Sequence, residues 1–349
     1  MRILPLLAAW LGLLGCVSRP VSAPVNPNLA DALAPVFQAD MPAAMARLAA
    51  LPVVELDPSQ RRTRDCVLAR FGSLANSTTE PGDVTLPAPA SDVLRTYRRY
   101  WTTALMRQAT AQQAEAALSN ELGKLLGGGE TDIDGRSEAA VRMIESHGVH
   151  ALGGVTPPLY ELMIWREQAT HRETIALPGG AFDVQVTMLA GFASLGWAAW
   201  ATCDRSHTGG WTTSDGIMVV AAAWQLDGEE YRVSLLAHEA QHFSDRTRYP
   251  QLAAADLEYR AKLTELILAR ETQRALLEKF ATEAKRDRAL PHSFASYWLI
   301  ERLRARLGSD HWAAISGDRI REAAAAEFAA HTVAIDARGR ESVRSALPD

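Results

Sequence analysis

The sequence predicts an α+β chain, predominantly helical, with a small mixed or antiparallel sheet next to the helix that carries His238 and His242. Three observations predict it. Apolar residues recur at three- and four-residue steps through much of 29–150, the period of a helix. Between 172 and 233 the period shortens to two, with Gly179-Gly180 between two alternating runs. A continuous apolar run at 216–224 then leads into a second helical pattern.

The chain opens on Arg2 and an apolar run over 3–14, too short to span a bilayer as a mature helix, so residues 1–15 read as an export signal. Leu13-Leu14-Gly15-Cys16 resembles a bacterial lipobox. That resemblance implies cleavage before Cys16, lipidation of its thiol and anchorage in the cell envelope facing the periplasm. Val17 in place of Asp implies an outer-membrane address by the sorting rule of enteric lipoproteins. An ordinary secretory leader cut nearby is the alternative. Residues 16–28 (Pro-, Ser- and Val-rich, without helical period) read as a tether.

A helical N-terminal region is expected over 29–150. Helical stretches fall at 29–50 and 58–72, and a polar loop then runs to Ser91, a suitable N-cap. A long helix should follow, because Leu94, Tyr97, Trp101, Leu105, Leu118, Leu122 and Leu125 keep helical spacing until Gly127-Gly128-Gly129. Its aromatic stripe reads as core packing. His147 and His150, with Gly148, Gly153 and Gly154 around them, read as a surface loop and not as a second metal site.

The second region is expected over 151–340. It begins with a hairpin, 173–177 and 182–188, around Gly179-Gly180. Val184 to Cys203 is a run of 20 residues without a formal charge, long enough to raise a transmembrane helix. Gln185, several Ser and Thr residues, two glycines and the initial alternation favour buried strands instead. After the strand at 216–224, Asp227 with Glu230 forms a capping-box-like start to the helix bearing the histidines.

The net charge of −5, with scattered Lys and Arg, gives no electrostatic footprint for nucleic acid. With Cys16 consumed by lipid, Cys66 and Cys203 remain, and export permits a disulfide between them; two buried thiols are the alternative.

His238-Glu239-Ala240-Gln241-His242 is the motif that carries chemistry. Four residues apart on a helix, the two imidazoles stand on one face within reach of one metal ion, and Glu239 stands beside them. The pattern resembles the HExxH zincin metallopeptidases. A metzincin would place His or Asp six residues beyond His242, where this chain has Arg248. The remaining resemblance, over about 216–300, is to the gluzincins, in which a glutamate on a later helix completes a zinc site. Tyr249-Pro250 should turn the chain, and an antiparallel return helix brings Glu258 to the height of His242. Asp256 is the weaker alternative ligand. Glu265 lies about 10 Å further along the same face at 1.5 Å per residue, so it suits a supporting or surface role. Ala261 resembles the small residue that lets the two helices approach. The separation of His242 from Glu258 is shorter than in the best-known gluzincins.

The resemblance implies Zn2+ held by His238, His242 and Glu258, Glu239 as general base, and hydrolysis of peptide or protein substrates in the envelope. His292 or Tyr297, in Pro291-His292-Ser293-Phe294-Ala295-Ser296-Tyr297, is the expected oxyanion donor, and Tyr259 a residue supporting the ligands. The competing reading is a non-catalytic envelope lipoprotein whose metal site is structural or vestigial and which binds partners or scaffolds the cell wall. A structural zinc would be closed by a fourth protein ligand, and no cysteine lies near the motif to close it.

Overall fold

The structure is a computed structural model that describes residues 27–72, 85–213 and 215–348. The expected leader, the Cys16 lipidation site and the tether as far as residue 26 lie outside the described residues. The fold is mixed α and β with two small sheets, and the chain divides into two compact units.

The first unit comprises the described residues up to Gln168 together with Leu189–Thr208. Its helices are α1 (Pro27–Leu33), α2 (Met41–Ala50), α3 (Pro58–Gly72), α4 (Ala88–Leu105), α5 (Ala111–Leu125), α6 (Ile133–Glu145) and the short α7 (Trp197–Ala201). Leu29, Met41, Leu48, Phe71, Tyr97, Trp101, Leu118, Leu122 and Trp197 are fully or almost fully buried in one core. The aromatic stripe is therefore core, as its spacing implies. Trp101 Nε1 donates to the Tyr160 carbonyl at 2.8 Å and the Tyr97 hydroxyl pairs with Ser137 Oγ at 2.8 Å, so each buried polar tip has a partner.

The long helix expected over 91–125 is instead two. Met106 ends α4, Arg107 takes φ +54, and Thr110 caps α5 through a capping box with Gln113. Leu105 and Leu118 are thirteen residues apart, about 220° round the axis at 3.6 residues per turn, so a continuous helix would put them on different faces, and the Thr110/Gln113 box marks the new start. Helix α4 begins at Ala88 after Pro87, with Pro89 in its first turn, so Ser91 is inside the helix and does not cap it. The 29–50 stretch is interrupted at Ala39 and restarts under an Asp40 cap.

His150 opens a strand where a loop was expected. Strand β1 (His150–Thr156) pairs antiparallel with β2 (Leu159–Trp165), and β5 (Ser194–Leu195) adds to β2. Gly153 and Gly154 lie within β1, facing Leu162 and Glu161 in the ladder. The uncharged run 184–203 supplies the end of a strand over Gly180–Ala190, then β5 and α7, and among the described residues no helix is long and apolar enough to cross a membrane. Cys66 and Cys203 are joined by a disulfide with Cα atoms 6.3 Å apart.

The second unit comprises Ala169–Met188 and Gly209 onward. The hairpin expected around Gly179-Gly180 is present as β3 (Glu167–Leu177) and β4 (Gly180–Ala190). With β6 (Gly210–Thr212) and β7 (Ile217–Val220) they form a sheet of order β3-β4-β7-β6. The apolar 216–224 run is thus an interior strand followed by a 3-10 turn. Val184, Val186, Ile217 and Val219 pack against Tyr231, Leu235, Leu236 and Ala240, so the sheet supports the helix that follows it.

That helix begins as a π-helix, Tyr231–Ala237, and becomes α8 (His238–Arg248) at the first metal-motif residue. Asp227 does not cap it; no side chain does. The neighbouring Glu229 has a different part, accepting the backbone N–H groups of Arg270, Glu271 and Thr272 at 2.6–3.3 Å. Helices α9 (Ala254–Leu268), α10 (Gln273–Glu283), α11 (Pro291–Leu307) and α12 (Gly317–Ala337) complete the unit around Tyr259, Leu263, Phe280, Phe294, Leu299, Ile320 and Phe328.

Candidate metal centre

The site is built where α8 and α9 run antiparallel. Tyr249 is fully buried and the chain turns there, with Leu252 N–H donating to its carbonyl at 3.1 Å. Helix α9 is buried almost all round, including Asp256, Glu258, Arg260, Lys262 and Glu265. A helix that carries charge into the interior needs a partner for each charge. Arg260 Nε donates to Asp245 Oδ1 at 2.9 Å, and its guanidinium lies 4.1 Å from the Phe328 ring centre. Lys262 Nζ sits 4.3 Å from the Phe280 ring centre, with Glu283 at 3.9 Å. Thr264 Oγ1 donates to Gln241 Oε1 at 3.0 Å. The Arg260–Asp245 and Thr264–Gln241 pairs join α9 to α8 and fix their register.

That register brings three donors together. His238 Nε2 and His242 Nε2 are 3.1 Å apart; Glu258 Oε1 is 3.2 Å from His242 Nε2, and Glu258 Oε2 is 3.5 Å from His238 Nε2. Their side chains are 12 %, 3 % and 1 % exposed respectively for His238, His242 and Glu258, so the charges have almost no water to stabilise them. A tetrahedral ion with bonds of about 2.0–2.1 Å has donor–donor edges of about 3.3 Å. The two imidazole nitrogens are spaced close to that edge, each with a different oxygen of Glu258 at a similar distance, and the residues present fit a metal of this size. Among the described residues they form the one group of His, Cys, Asp or Glu with ligand atoms all within 4.8 Å of one another, and it has no fourth member.

A second carboxylate backs the first histidine. Glu265 Oε1 lies 2.7 Å from His238 Nδ1, an arrangement that would fix the tautomer of a metal-binding imidazole and that leaves Nε2 facing the other two donors. The rise argument placed Glu265 too far along α9 to ligate. His238 lies one turn back from His242 in the opposite direction, so most of that offset is recovered and the long side chain spans the remainder. Nδ1 of His242 is buried without a protein partner.

Electrostatics of the cluster follow from burial and proximity. Burial pulls the His238 imidazolium toward deprotonation, but the carboxylates of Glu265 and Glu258 outweigh it and push its pKa up to about 10. Burial raises the Glu258 carboxyl, and His242, His238 and His292 reverse that, holding it well below the usual carboxylate range. Glu265 is likewise lowered, burial being outweighed chiefly by His238.

Glu239 lies in the first turn of α8, half-buried, and its carboxylate has no hydrogen-bond or ion-pair partner among the described residues. His292, in the first turn of α11, is brought to the site: Nδ1 is 2.9 Å from Glu258 Oε2. Tyr297 is half-buried and packs edge-on against Trp298 with ring centres 5.3 Å apart, and among the described residues no hydrogen bond or ion pair ties it to the three donors. Tyr259 donates to Glu327 Oε2 at 3.2 Å, in the core and away from the ligands it was expected to support.

Asp256, the alternative ligand, is fully engaged elsewhere. Its carboxylate accepts the N–H groups of Ala346 (2.7 Å) and Leu347 (3.0 Å), Ser345 Oγ (2.6 Å) and His331 Nε2 (3.1 Å). Two positions before Glu258 on a helix, it faces away from the metal donors and holds the C-terminal segment. His331 and Ser345, which sequence reasoning did not connect to α9, are separated from Asp256 by 75 and 89 residues, and no local spacing signals them. Ser345 donates to the acid and not to an imidazole, so Asp256, His331 and Ser345 are not arranged for nucleophilic catalysis.

Comparison with protein-family models, with curated proteins and with solved structures finds no match to this chain.

Proposed function

We propose that this chain is a zinc-dependent, gluzincin-like peptidase of the bacterial cell envelope, anchored by lipid at Cys16 and acting on peptide or protein substrates. One observation carries the reading: two imidazole nitrogens 3.1 Å apart with the two oxygens of a buried glutamate 3.2 and 3.5 Å from them, and an unengaged carboxylate, Glu239, next to the first of them in sequence.

His238, His242 and Glu258 would hold the ion, and Glu265 holds His238 by its far nitrogen. When bound, zinc supplies Lewis acidity, polarising a carbonyl and bringing the pKa of water toward neutrality. Glu239 is the residue left to move protons. Its carboxylate accepts one from the attacking water and returns it to the amine nitrogen that leaves, which is the proton inventory of amide hydrolysis. His292, whose Nδ1 lies 2.9 Å from Glu258 Oε2, stands beside the ligands as the candidate oxyanion donor of this reading.

A closed structural zinc site is the competing account, and it requires a fourth protein ligand. The three-member group favours the open arrangement. The deciding experiment is metal analysis followed by Glu239→Ala. Stoichiometric zinc with peptide-library hydrolysis, lost in the variant while zinc is kept, supports the peptidase. A folded chain that binds zinc yet cleaves nothing supports the structural reading.

A further inference from the structure

We infer that residues 343–348 are a strap coupled to the metal centre: attached to the start of α9 on the side away from the histidines, they hold Glu258 in place, so that strap and zinc each tighten the hold of the other.

The inference rests on the metal-binding reading above and adds to it a segment that supplies no ligand. Asp256 and Glu258 stand two residues apart, about 200° round the axis at 3.6 residues per turn, so the start of α9 is gripped from opposite sides. Glu258 faces His238 and His242. Asp256, 0 % exposed, faces the strap and accepts the N–H groups of Ala346 and Leu347 and the Ser345 hydroxyl.

The turn that delivers α9 is walled by the same segment. Tyr249, Leu252 and Leu257 form a small apolar cluster with Ile335 of α12 and Val343 of the strap. Ala253 N–H, at the N-cap of α9, donates to the Arg344 carbonyl at 2.7 Å. Arg288 Nη2 donates to the carbonyls of Leu347 (3.1 Å) and Pro348 (3.3 Å), which ties the far end of the strap to the loop before α11. The pairs that join α9 to α8, Arg260–Asp245 and Thr264–Gln241, lie beyond Glu258. From Ala253 to Leu257, the hydrogen bonds to other elements among the described residues run to the strap and to His331 of α12.

The strap lies on the surface, with Val343 and Leu347 buried and Arg344 and Pro348 exposed, so it can lift without opening the unit's larger core. Lifting it removes three donors from a buried carboxylate and one wall from the turn, and frees the end of α9 that carries Glu258. An ion that needs one placement of Glu258 favours the attached strap. By linkage the attached strap favours the ion by the same factor.

The test uses the full chain and reads both directions of that coupling. Zinc Kd is measured by chelator competition at neutral pH in Val343→Asp, which puts a charge into the turn cluster, and in Val343→Ile, which keeps it apolar; circular dichroism checks that each folds. The inference predicts a Kd raised about 5- to 150-fold in V343D, the usual span of such couplings, and a Kd near the native value in V343I. In the native chain, amide hydrogen exchange at Ala346 and Leu347 should slow by a similar factor when zinc is added. The exchange arm needs no variant, and decides alone if V343D does not fold. A folded V343D with native zinc affinity overturns the inference, because a strap that merely adds stability would lower Tm and leave Kd alone. So does exchange at Ala346 and Leu347 that is the same with and without bound zinc. A native chain that takes up no zinc refutes the metal-binding reading itself, a result distinct from these.

Discussion

Glu265 Oε1 and His238 Nδ1 are 2.7 Å apart, 27 residues distant in sequence, and both side chains are almost wholly buried. This bond fixes which imidazole nitrogen faces the metal donors. Glu265→Gln keeps the size of the side chain and lets it accept from Nδ1, but removes the charge. Zinc affinity should fall about 10- to 100-fold, read by chelator competition, while the far-ultraviolet circular dichroism is preserved. An affinity equal to the native chain's would mean that the bond does not act on the metal site.

Glu239→Gln should separate binding from chemistry. Since Glu239 is outside the donor group, zinc stoichiometry should stay at the native level, while peptide hydrolysis should fall by about 10² to 10⁴, the range for losing a general acid–base group. Matched metal analysis and turnover on one peptide substrate check both halves.

The metal-free chain should have a stability window set by the same cluster. The folded His238 pKa is raised from 6.5 to about 10, so its contribution is fully present below 6.5 and is lost as pH rises through about 10. Glu258 and Glu265 are lowered from 4.5, so theirs is present above 4.5 and is lost as pH falls through their lowered values. A Tm profile of the chelator-treated protein should therefore be highest between these limits and decline on the alkaline side. Glu265→Gln should flatten the alkaline decline. Zinc uptake should run the other way, strengthening as pH rises, because protons and zinc compete for His238.

Much of the site was legible in the sequence, and the reasons are local. The pentapeptide places two candidate ligands by helical spacing, and Pro250 with the 1.5 Å rise places the third beside them, since α8 and α9 are short and turn once. What was illegible depends on distant partners. Asp256 also carries a carboxylate, two positions before the candidate ligand Glu258, but its partners are 75 to 91 residues away, so only the fold distinguishes the two. The π-helix leaves no mark in Tyr231–Ala237, whose apolar residues suit an α-helix equally well. In the first unit, helix α3 spans the predicted 58–72, where Pro and Gly punctuate both ends; strands β1 and β2 were missed because glycines inside a short ladder read as a loop.

Asp256→Ala should release the C-terminal segment. The substitution strands the N–H groups of Ala346 and Leu347, the Ser345 hydroxyl and His331, at a cost of about 3–5 kcal/mol for breaking a buried charged network. Limited proteolysis should then cut within 338–348 well before the native chain is cut. Equal protection would show that the segment is held by its apolar contacts alone.

Opening the Cys66–Cys203 bond should weaken the first unit, which contains both cysteines. A sequence separation of 137 corresponds to about 5 kcal/mol in the chain-entropy model. Denaturant unfolding of Cys66→Ser/Cys203→Ser, followed by tryptophan fluorescence, measures this, and zinc stoichiometry should be unchanged.

The central claim is that His238, His242 and Glu258 are one metal centre, and zinc stoichiometry by mass spectrometry of the folded chain, with Glu258→Gln alongside, tests it most directly. The account predicts one tightly held zinc per native chain and its loss from the variant under the same chelating wash. A folded native chain that retains no zinc, or a Glu258→Gln chain that retains as much as the native one, contradicts it.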